Sequence, residues 1–196
     1  AKRIHFIHMS PSQIEWHKGK ADAAQQAEAR EQEELNLAKA AQLVIAVGPM
    51  LFRESVTLIH RLAPESRPVV CQFNPGFRQR DRQEKTKPLN LQCLLVGRAE
   101  DEALKGIDIA VKALHRIVEA HEPLEYKPEL IIRGAPTGEG TALNTKIKEE
   151  HSGFHVQVRE YNGNQETITG DYRSAALFLM PSRSEGFGLV PLEALS

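Results

Sequence analysis

Short apolar runs alternate with longer polar or amphipathic stretches along most of the chain. Apolar runs of this length, bounded by turn-forming residues, are typical of buried strands, and the stretches between them have helical spacing. The alternation predicts an α/β fold with parallel sheets. The predicted strands are Ile4–His8, Leu43–Val47, Val69–Phe73, Leu91–Val96, Leu130–Arg133, His155–Arg159 and Leu177–Met180.

Four segments between the strands predict helices. Ala21–Ala41 is rich in Ala, Gln and Glu and has few breakers, so it predicts one long, mostly solvent-facing helix. Leu51–Leu62, Asp108–Ala120 and the shorter Ala142–Glu150 are the others. The apolar residues with helical spacing in the third helix are Ile109, Val111, Leu114, Ile117 and Val118.

The composition limits the partners and the compartment that the sequence predicts. The 25 basic and 26 acidic residues give a formal net charge of -1, so no overall field favours nucleic acid or an anionic membrane as a partner. No apolar run approaches the roughly 20 residues that a membrane-spanning helix needs. Cys71 and Cys93 lie in apolar runs and are predicted to pack as small hydrophobes. Two such cysteines favour a reducing, cytoplasmic compartment, although a disulfide between them remains open.

A polar run marks the predicted domain boundary. It has no apolar face and lies between turn-forming residues, so we expect a linker over residues 78–89. Residues 1–77 and 90–196 are then the two domains. The chain begins directly with a strand and stops at Ser196 inside a predicted helix, so we expect a fragment that is truncated at its C-terminus.

Two carboxylates frame a glycine-rich turn near the end of the chain. Glu185 and Glu193 are eight residues apart, with Gly186, Phe187 and Gly188 between them. A buried strand precedes the turn, and a helix is predicted to start near its end. Unpaired amides at a helix start suit a diphosphate, and a carboxylate accepts hydrogen bonds from vicinal sugar hydroxyls. The pattern therefore predicts a nucleotide-sugar site.

A second motif supports this interpretation. The strand that starts the second domain ends in Gly97 and Arg98, and Lys105 and Gly106 follow at the start of a helix. Together with the spacing of the two glutamates, this resembles the E-x7-E signature of the retaining, GT-B-type glycosyltransferases of the group-one family, relatives of sucrose and glycogen synthases. The resemblance covers residues 91–196 well and the preceding segment loosely.

The resemblance also implies roles for individual residues. Glu185 is the predicted catalytic residue and positions the transferred sugar, although the sequence identifies no nucleophile. The backbone from Gly186 to Val190 is expected to cradle phosphate and sugar. The assigned residues are Gly97, Arg98, Lys105, Gly188, Leu189 and Val190 at the diphosphate, Glu185, Gly186 and Phe187 at the sugar, and Glu193 at the ribose.

The family implies a fold and a reaction. The expected fold has two Rossmann-like domains, of which residues 1–77 are part of the acceptor side and residues 90–196 are the donor side. The expected reaction transfers a sugar from a nucleotide-diphosphate donor, in particular a UDP-sugar, to an unknown acceptor with retention. Cationic side chains and amides stabilise the departing diphosphate, so no metal and no cofactor besides the donor is expected.

Other residues are weaker candidates. Relatives often keep a histidine where His8 stands, so His8 is a candidate contact in the cleft, and Tyr161 is a candidate stacking partner for the base. His5 and His8 point to opposite faces of a strand, which is poor geometry for a shared metal. Residues 133–141 lack the Lys, and the Ser/Thr directly after it, that a P-loop uses on phosphate and magnesium. Arg133 stands where relatives have a small residue, and a surface arginine is the default interpretation.

Two other functions remain open. The chain could be a non-catalytic module that binds a nucleotide or nucleotide sugar within a larger protein. A UDP-sugar epimerase of similar architecture fits the fold but not the Gly-Phe-Gly sequence between the two glutamates.

Overall fold

The computed structural model describes residues 2–18, 21–76, 91–121 and 127–195. These residues form two compact units. The first consists of the described residues up to 76 together with Ser184–Leu189, and the second of those from 91 to Arg183 together with the described residues from Val190 onward. The predicted linker at 78–89 lies outside the described residues, as does the predicted domain end at Phe77.

The first unit is built on a parallel sheet of order β1-β2-β3. Its central strand carries the core, because Val44 and Ala46 are fully buried. Two of the helices bury an apolar stripe, with Leu35 and Leu51 among the buried residues. The elements are β1 (Ile4–Ile7), α1 (Pro11–Trp16), α2 (Ala23–Lys39), β2 (Leu43–Val47), α3 (Gly48–Ile59), a 3₁₀ turn (Pro64–Ser66) and β3 (Val69–Phe73).

The second unit has the larger core. Leu94, Leu130, Ile131 and Ile132 have no exposed surface, which explains why their strands read as continuous apolar runs: both faces of the sheet are covered. Its elements in chain order are β4 (Gln92–Val96), a 3₁₀ turn (Ala99–Asp101), α4 (Glu102–Lys105), α5 (Ile107–Ala120), β5 (Glu129–Ala135), α6 (Gly140–Glu150), β6 (His155–Glu160), α7 (Gln165–Ser174), β7 (Leu177–Leu179) and α8 (Leu189–Leu195).

The order of the strands in this unit creates a switch point. All pairs are parallel and the order is β6-β5-β4-β7. The chain therefore runs outward from β4 through β5 to β6, and then returns to pair β7 with the opposite side of β4. In open α/β sheets, ligands bind beyond the carboxyl ends of the strands where the order reverses. The segments that follow β4 and β7 are thus the expected binding segments of this unit.

The structure confirms the predicted α/β fold and places a strand at each predicted run. Three helices, α1, α4 and α7, were not predicted, because α1 and α4 are short and α7 is mostly polar. Helix α3 starts at Gly48 rather than Leu51, since Pro49 suits a first helical turn.

The buried face of α5 also differs from the prediction. The helix buries Val111, Leu114 and Val118 as predicted, but Ile109 and Ile117 are exposed. Ile107 and Ala110 complete the buried face instead, because they share a helix face with the three buried residues.

The two cysteines differ in burial. Cys93 is 1% exposed, and burial raises the pKa of its thiol above the usual value. Cys71 is exposed, so the prediction that it packs as a hydrophobe is wrong. Among the described residues its strand β3 pairs with β2 alone, and four of its five residues are exposed. Both thiols are free.

Within the described part of the chain, the helices are too short or too polar to cross a bilayer.

Gly106 is required where α4 meets α5. Its φ is +68°, and a Cβ there would lie 2.2 Å from the carbonyl oxygen of Pro181. Gly138 has a similar φ of +85°, but nothing lies within 4 Å of the corresponding position. Alanine substitutions at the two glycines therefore distinguish the free-energy cost of the backbone conformation from that of a steric collision.

We predict that Gly106→Ala lowers the free energy of unfolding by more than about 3 kcal/mol, because strain and collision add. Gly138→Ala, the matched control, is expected to lower it by about 1–2 kcal/mol, the cost of the left-handed conformation alone. Urea unfolding of both variants measures the difference. Equal losses would show that the Pro181 carbonyl moves aside and does not constrain the turn.

Candidate functional site

Lys105 lies against Gly97 at the carboxyl end of β4. A Cβ on Gly97 would be 3.0 Å from the Cδ of Lys105 and 3.2 Å from its Cγ. The missing side chain of Gly97 thus leaves room for the aliphatic stem of the lysine. The amide of Gly97 donates to the Arg133 carbonyl at 3.0 Å, which fixes the glycine at the end of the strand.

Arg98 follows Gly97 at the carboxyl end of the same strand. Its side chain is 62% exposed, and its Nη2 lies 2.8 Å from Oδ2 of Asp101. Solvent screens the charge of a guanidinium this exposed, although the Asp101 side chain is only 15% exposed, so moving the Arg98 guanidinium from Asp101 to a phosphate costs little. Gly97, Arg98 and Lys105, predicted as one motif, lie at one end of β4.

The segment after β7 packs on the same turn. Besides the contact of Pro181 with Gly106, the backbone N–H of Arg183 donates to the carbonyl of Leu104 at 2.9 Å. Both ends of the Arg183 guanidinium contact Asp108 at 2.7 Å. The turn that carries Lys105 is therefore attached to the chain that leads into Glu185.

The Gly-Phe-Gly loop belongs to the first unit. A Cβ on Gly186 would lie 2.2 Å from the carbonyl oxygen of His8, so this position accepts only glycine without movement. The ring of Phe187 lies against Gly48, where a Cβ would be 2.6 Å from Phe187 Cδ2. The Ser184 hydroxyl donates to Gln13 Oε1 at 3.1 Å. The loop is held by one close backbone approach and two side-chain contacts, and the His8 side chain itself is exposed.

Glu193 lies on α8 next to a tyrosine that the sequence analysis did not single out. The hydroxyl of Tyr172 donates to the Val190 carbonyl at 3.4 Å. Burial raises the pKa of Tyr172 well above its usual value, and the charge of Glu193 and a hydrogen bond to its side chain add to this. Tyr172 therefore remains protonated and lies beside the Glu193 side chain.

Arg133 is not the surface arginine that the sequence suggested. Its side chain is 8% exposed; Nε bonds Oδ2 of Asp171 at 2.5 Å, and Nη1 bonds the Glu160 carbonyl at 2.9 Å. Arg159 contacts the other oxygen of the same carboxylate. The prediction failed because Asp171 lies on α7, a helix without an apolar pattern. A buried ion pair of this kind requires both partners, so Arg133 has a structural role.

The loop after β5 does not bind phosphate as a P-loop does. The carboxylate of Glu160 accepts from the amide of Gly138 at 2.8 Å, which places a negative charge where an anion would bind. Tyr161 follows at the end of β6, and its side chain is 65% exposed. Its amide donates to the Ala135 carbonyl at 2.9 Å.

The first unit also contains an open cavity of about 420 Å³ along α2 and α3. Its lining includes three carboxylates and two guanidinium groups, which does not favour an anionic ligand. The ring of His5 contacts the Glu34 carboxylate. No three His, Cys, Asp or Glu side chains among the described residues are grouped as metal ligands. The charged lining residues of the cavity are Glu31, Glu34, Arg53, Glu54 and Arg61.

Three polar residues near the predicted site were missed. Tyr172 and Asp171 lie on a helix without apolar periodicity, so the sequence pattern did not predict that they are buried near other elements. Arg183 lies within the motif that contains Glu185. Its partner Asp108 is far away in the sequence, so no motif spacing identifies the two as a pair.

The parallel sheets and their switch point match the fold of solved GT-B glycosyltransferases. Sucrose-phosphate synthase from Thermosynechococcus elongatus matches with a TM-score of 0.66 and 20% identity, over 98% of this chain and 47% of that chain. The pneumococcal O-GlcNAc transferase GtfA, solved in complex with UDP and GlcNAc, matches with a TM-score of 0.58 and 21% identity, over 85% of this chain and 31% of that chain.

The sequence defines the family. The chain belongs to the family described as GT4-conflict, family 4 glycosyltransferase in conflict systems, whose model matches residues 1–196. D-inositol 3-phosphate glycosyltransferase of Acidothermus cellulolyticus is 30% identical over 126 residues, which cover 62% of this chain and 28% of that protein. The chain thus spans less than a third of the length of this curated relative.

Proposed function

We propose that the chain is the donor-binding portion of a glycosyltransferase that takes its sugar from a nucleoside-diphosphate donor, in particular a UDP-sugar. The main support for this proposal is that the Lys105 side chain packs against Gly97, next to Arg98, at the carboxyl end of β4. This strand flanks the switch point, where an α/β sheet places its ligand.

The two cations match the chemistry of donor cleavage. As the bond between sugar and diphosphate breaks, negative charge grows on the phosphate oxygens. Arg98 and Lys105 stabilise this charge, with Gly97 and the backbone of Gly188, Leu189 and Val190 as further contacts. The reaction then needs no metal. Retention at the anomeric carbon is proposed from the family, since its mechanism is not visible in these residues.

The nucleoside is proposed to extend from the diphosphate toward β6. Two strand spacings, about 10 Å, separate β4 from β6. An exposed aromatic ring at the end of β6, that of Tyr161, suits stacking on a base. Glu193, which lies beside Tyr172, is proposed to accept hydrogen bonds from the ribose hydroxyls.

The transferred sugar is assigned to Glu185, Gly186 and Phe187. Glu185 is proposed to hold the sugar hydroxyls, and Gly186 is the position where only glycine fits without movement. His8 is proposed as a further contact. A UDP-sugar is favoured because the pneumococcal relative of the same fold was solved with UDP and GlcNAc. The acceptor is left unspecified.

The diphosphate clamp predicts a selective loss. Arg98→Ala is expected to weaken UDP binding by about tenfold while changing uridine binding by less than about twofold, because a charge-assisted hydrogen bond to phosphate is removed. Calorimetric titration of the chain with both ligands measures this. Arg116→Ala, at an exposed position on α5, is the control and should leave both affinities unchanged. A uniform loss for UDP and uridine would remove Arg98 from the diphosphate.

The ribose assignment predicts the opposite pattern. Glu193→Gln is expected to weaken UDP and uridine alike, by about tenfold, and to leave 2′-deoxyuridine nearly unchanged, because a charged acceptor for the 2′-hydroxyl is lost. Glu149→Gln, an exposed change on α6, serves as the control. Native-like uridine affinity in Glu193→Gln would contradict the role.

A further inference from the structure

The guanidinium of Arg183 contacts the chain on both sides of Lys105. Nη1 donates to the carbonyl of Ala103, two residues before Lys105. Nη1 and Nη2 each donate to one carboxylate oxygen of Asp108, three residues after it, at 2.7 Å. Together with the bond from its backbone N–H to Leu104, Arg183 encloses the turn at Lys105.

This geometry is specific to arginine. A planar guanidinium meets a carboxylate through two parallel hydrogen bonds, which fixes orientation as well as distance, whereas a lysine ammonium acts as a point charge. The hydrogen bonds and charge of Arg183 also hold the pKa of Asp108 below its usual value. The carboxylate therefore stays charged and paired at neutral pH.

We propose that Arg183 is a positioning residue for Lys105: its bidentate contact with Asp108 and its contacts with Ala103 and Leu104 hold the turn in the conformation that directs Lys105 at a diphosphate. The inference rests on the proposed function of the same site. It adds a residue that contacts no phosphate itself and acts through the Lys105 turn.

Exposure separates this role from a purely structural one. The side chains of Arg183 and Asp108 are 31% and 27% exposed, so solvent screens their pair and its loss should alter stability little. The placement of Lys105 is more sensitive, because a small displacement of a charged group weakens a directed contact strongly. Loss of the pair should thus change ligand selectivity more than folding.

The test compares the affinities of the chain for UDP and uridine by calorimetry, with thermal unfolding as a check on the fold. Arg183→Gln and Asp108→Asn are each expected to lower the ratio of UDP to uridine affinity by about fivefold to tenfold. The double variant should lose no more than either single variant, since both changes remove one interaction. Arg183→Lys should recover only part of the ratio, and Arg173→Gln, an exposed change on α7, should keep it.

The outcomes are distinct. A native ratio in Arg183→Gln and Asp108→Asn would overturn the inference and leave the proposed function intact. Additive losses in the double variant would also overturn it, because the two residues would then act separately. If the native chain does not prefer UDP to uridine, the proposed function fails, and the inference fails with it. Should Arg183→Gln not fold, Asp108→Asn decides the question alone, since it leaves the backbone bond to Leu104 in place.

Discussion

The pairing of β7 with β4 is the constraint on which the second unit depends. Without it, the strand order would continue outward from β4 in one direction, and the chain after β7 would not reach the turn at Lys105. With it, Pro181 packs on Gly106 so closely that no side chain fits between them. The two segments expected to bind a ligand at the switch point are therefore fixed by one strand pair and one glycine.

Charge is divided within this unit according to burial. Arg133 is nearly enclosed and is balanced by the buried carboxylate of Asp171, which Arg159 also contacts. Arg98 is largely exposed and pairs with Asp101, three residues further along the chain. A buried pair costs much to break, while an exposed guanidinium can move from its partner to a ligand at little cost. The first kind serves the fold, and the second suits a site for an anion. The overall charge of -1 gives no hint of either.

Much of this could be read from the sequence, and the reason is periodicity. The buried strands of a parallel sheet are continuous apolar runs, so all the predicted strands were placed correctly. The grouping of Gly97, Arg98 and Lys105 came instead from the resemblance to the glycosyltransferase family. Helix α7 and Asp171 could not be found, because a polar helix that contributes one buried carboxylate leaves no apolar pattern.

The proposed binding site for the donor diphosphate is the carboxyl end of β4. A crystal structure of the chain in complex with UDP tests this most directly. We expect the phosphate oxygens to lie within hydrogen-bonding distance of the Lys105 ammonium and the Arg98 guanidinium, and the ring of Tyr161 to lie beside the base. UDP bound away from both cations, for example in the cavity along α2 and α3 of the first unit, would contradict this expectation.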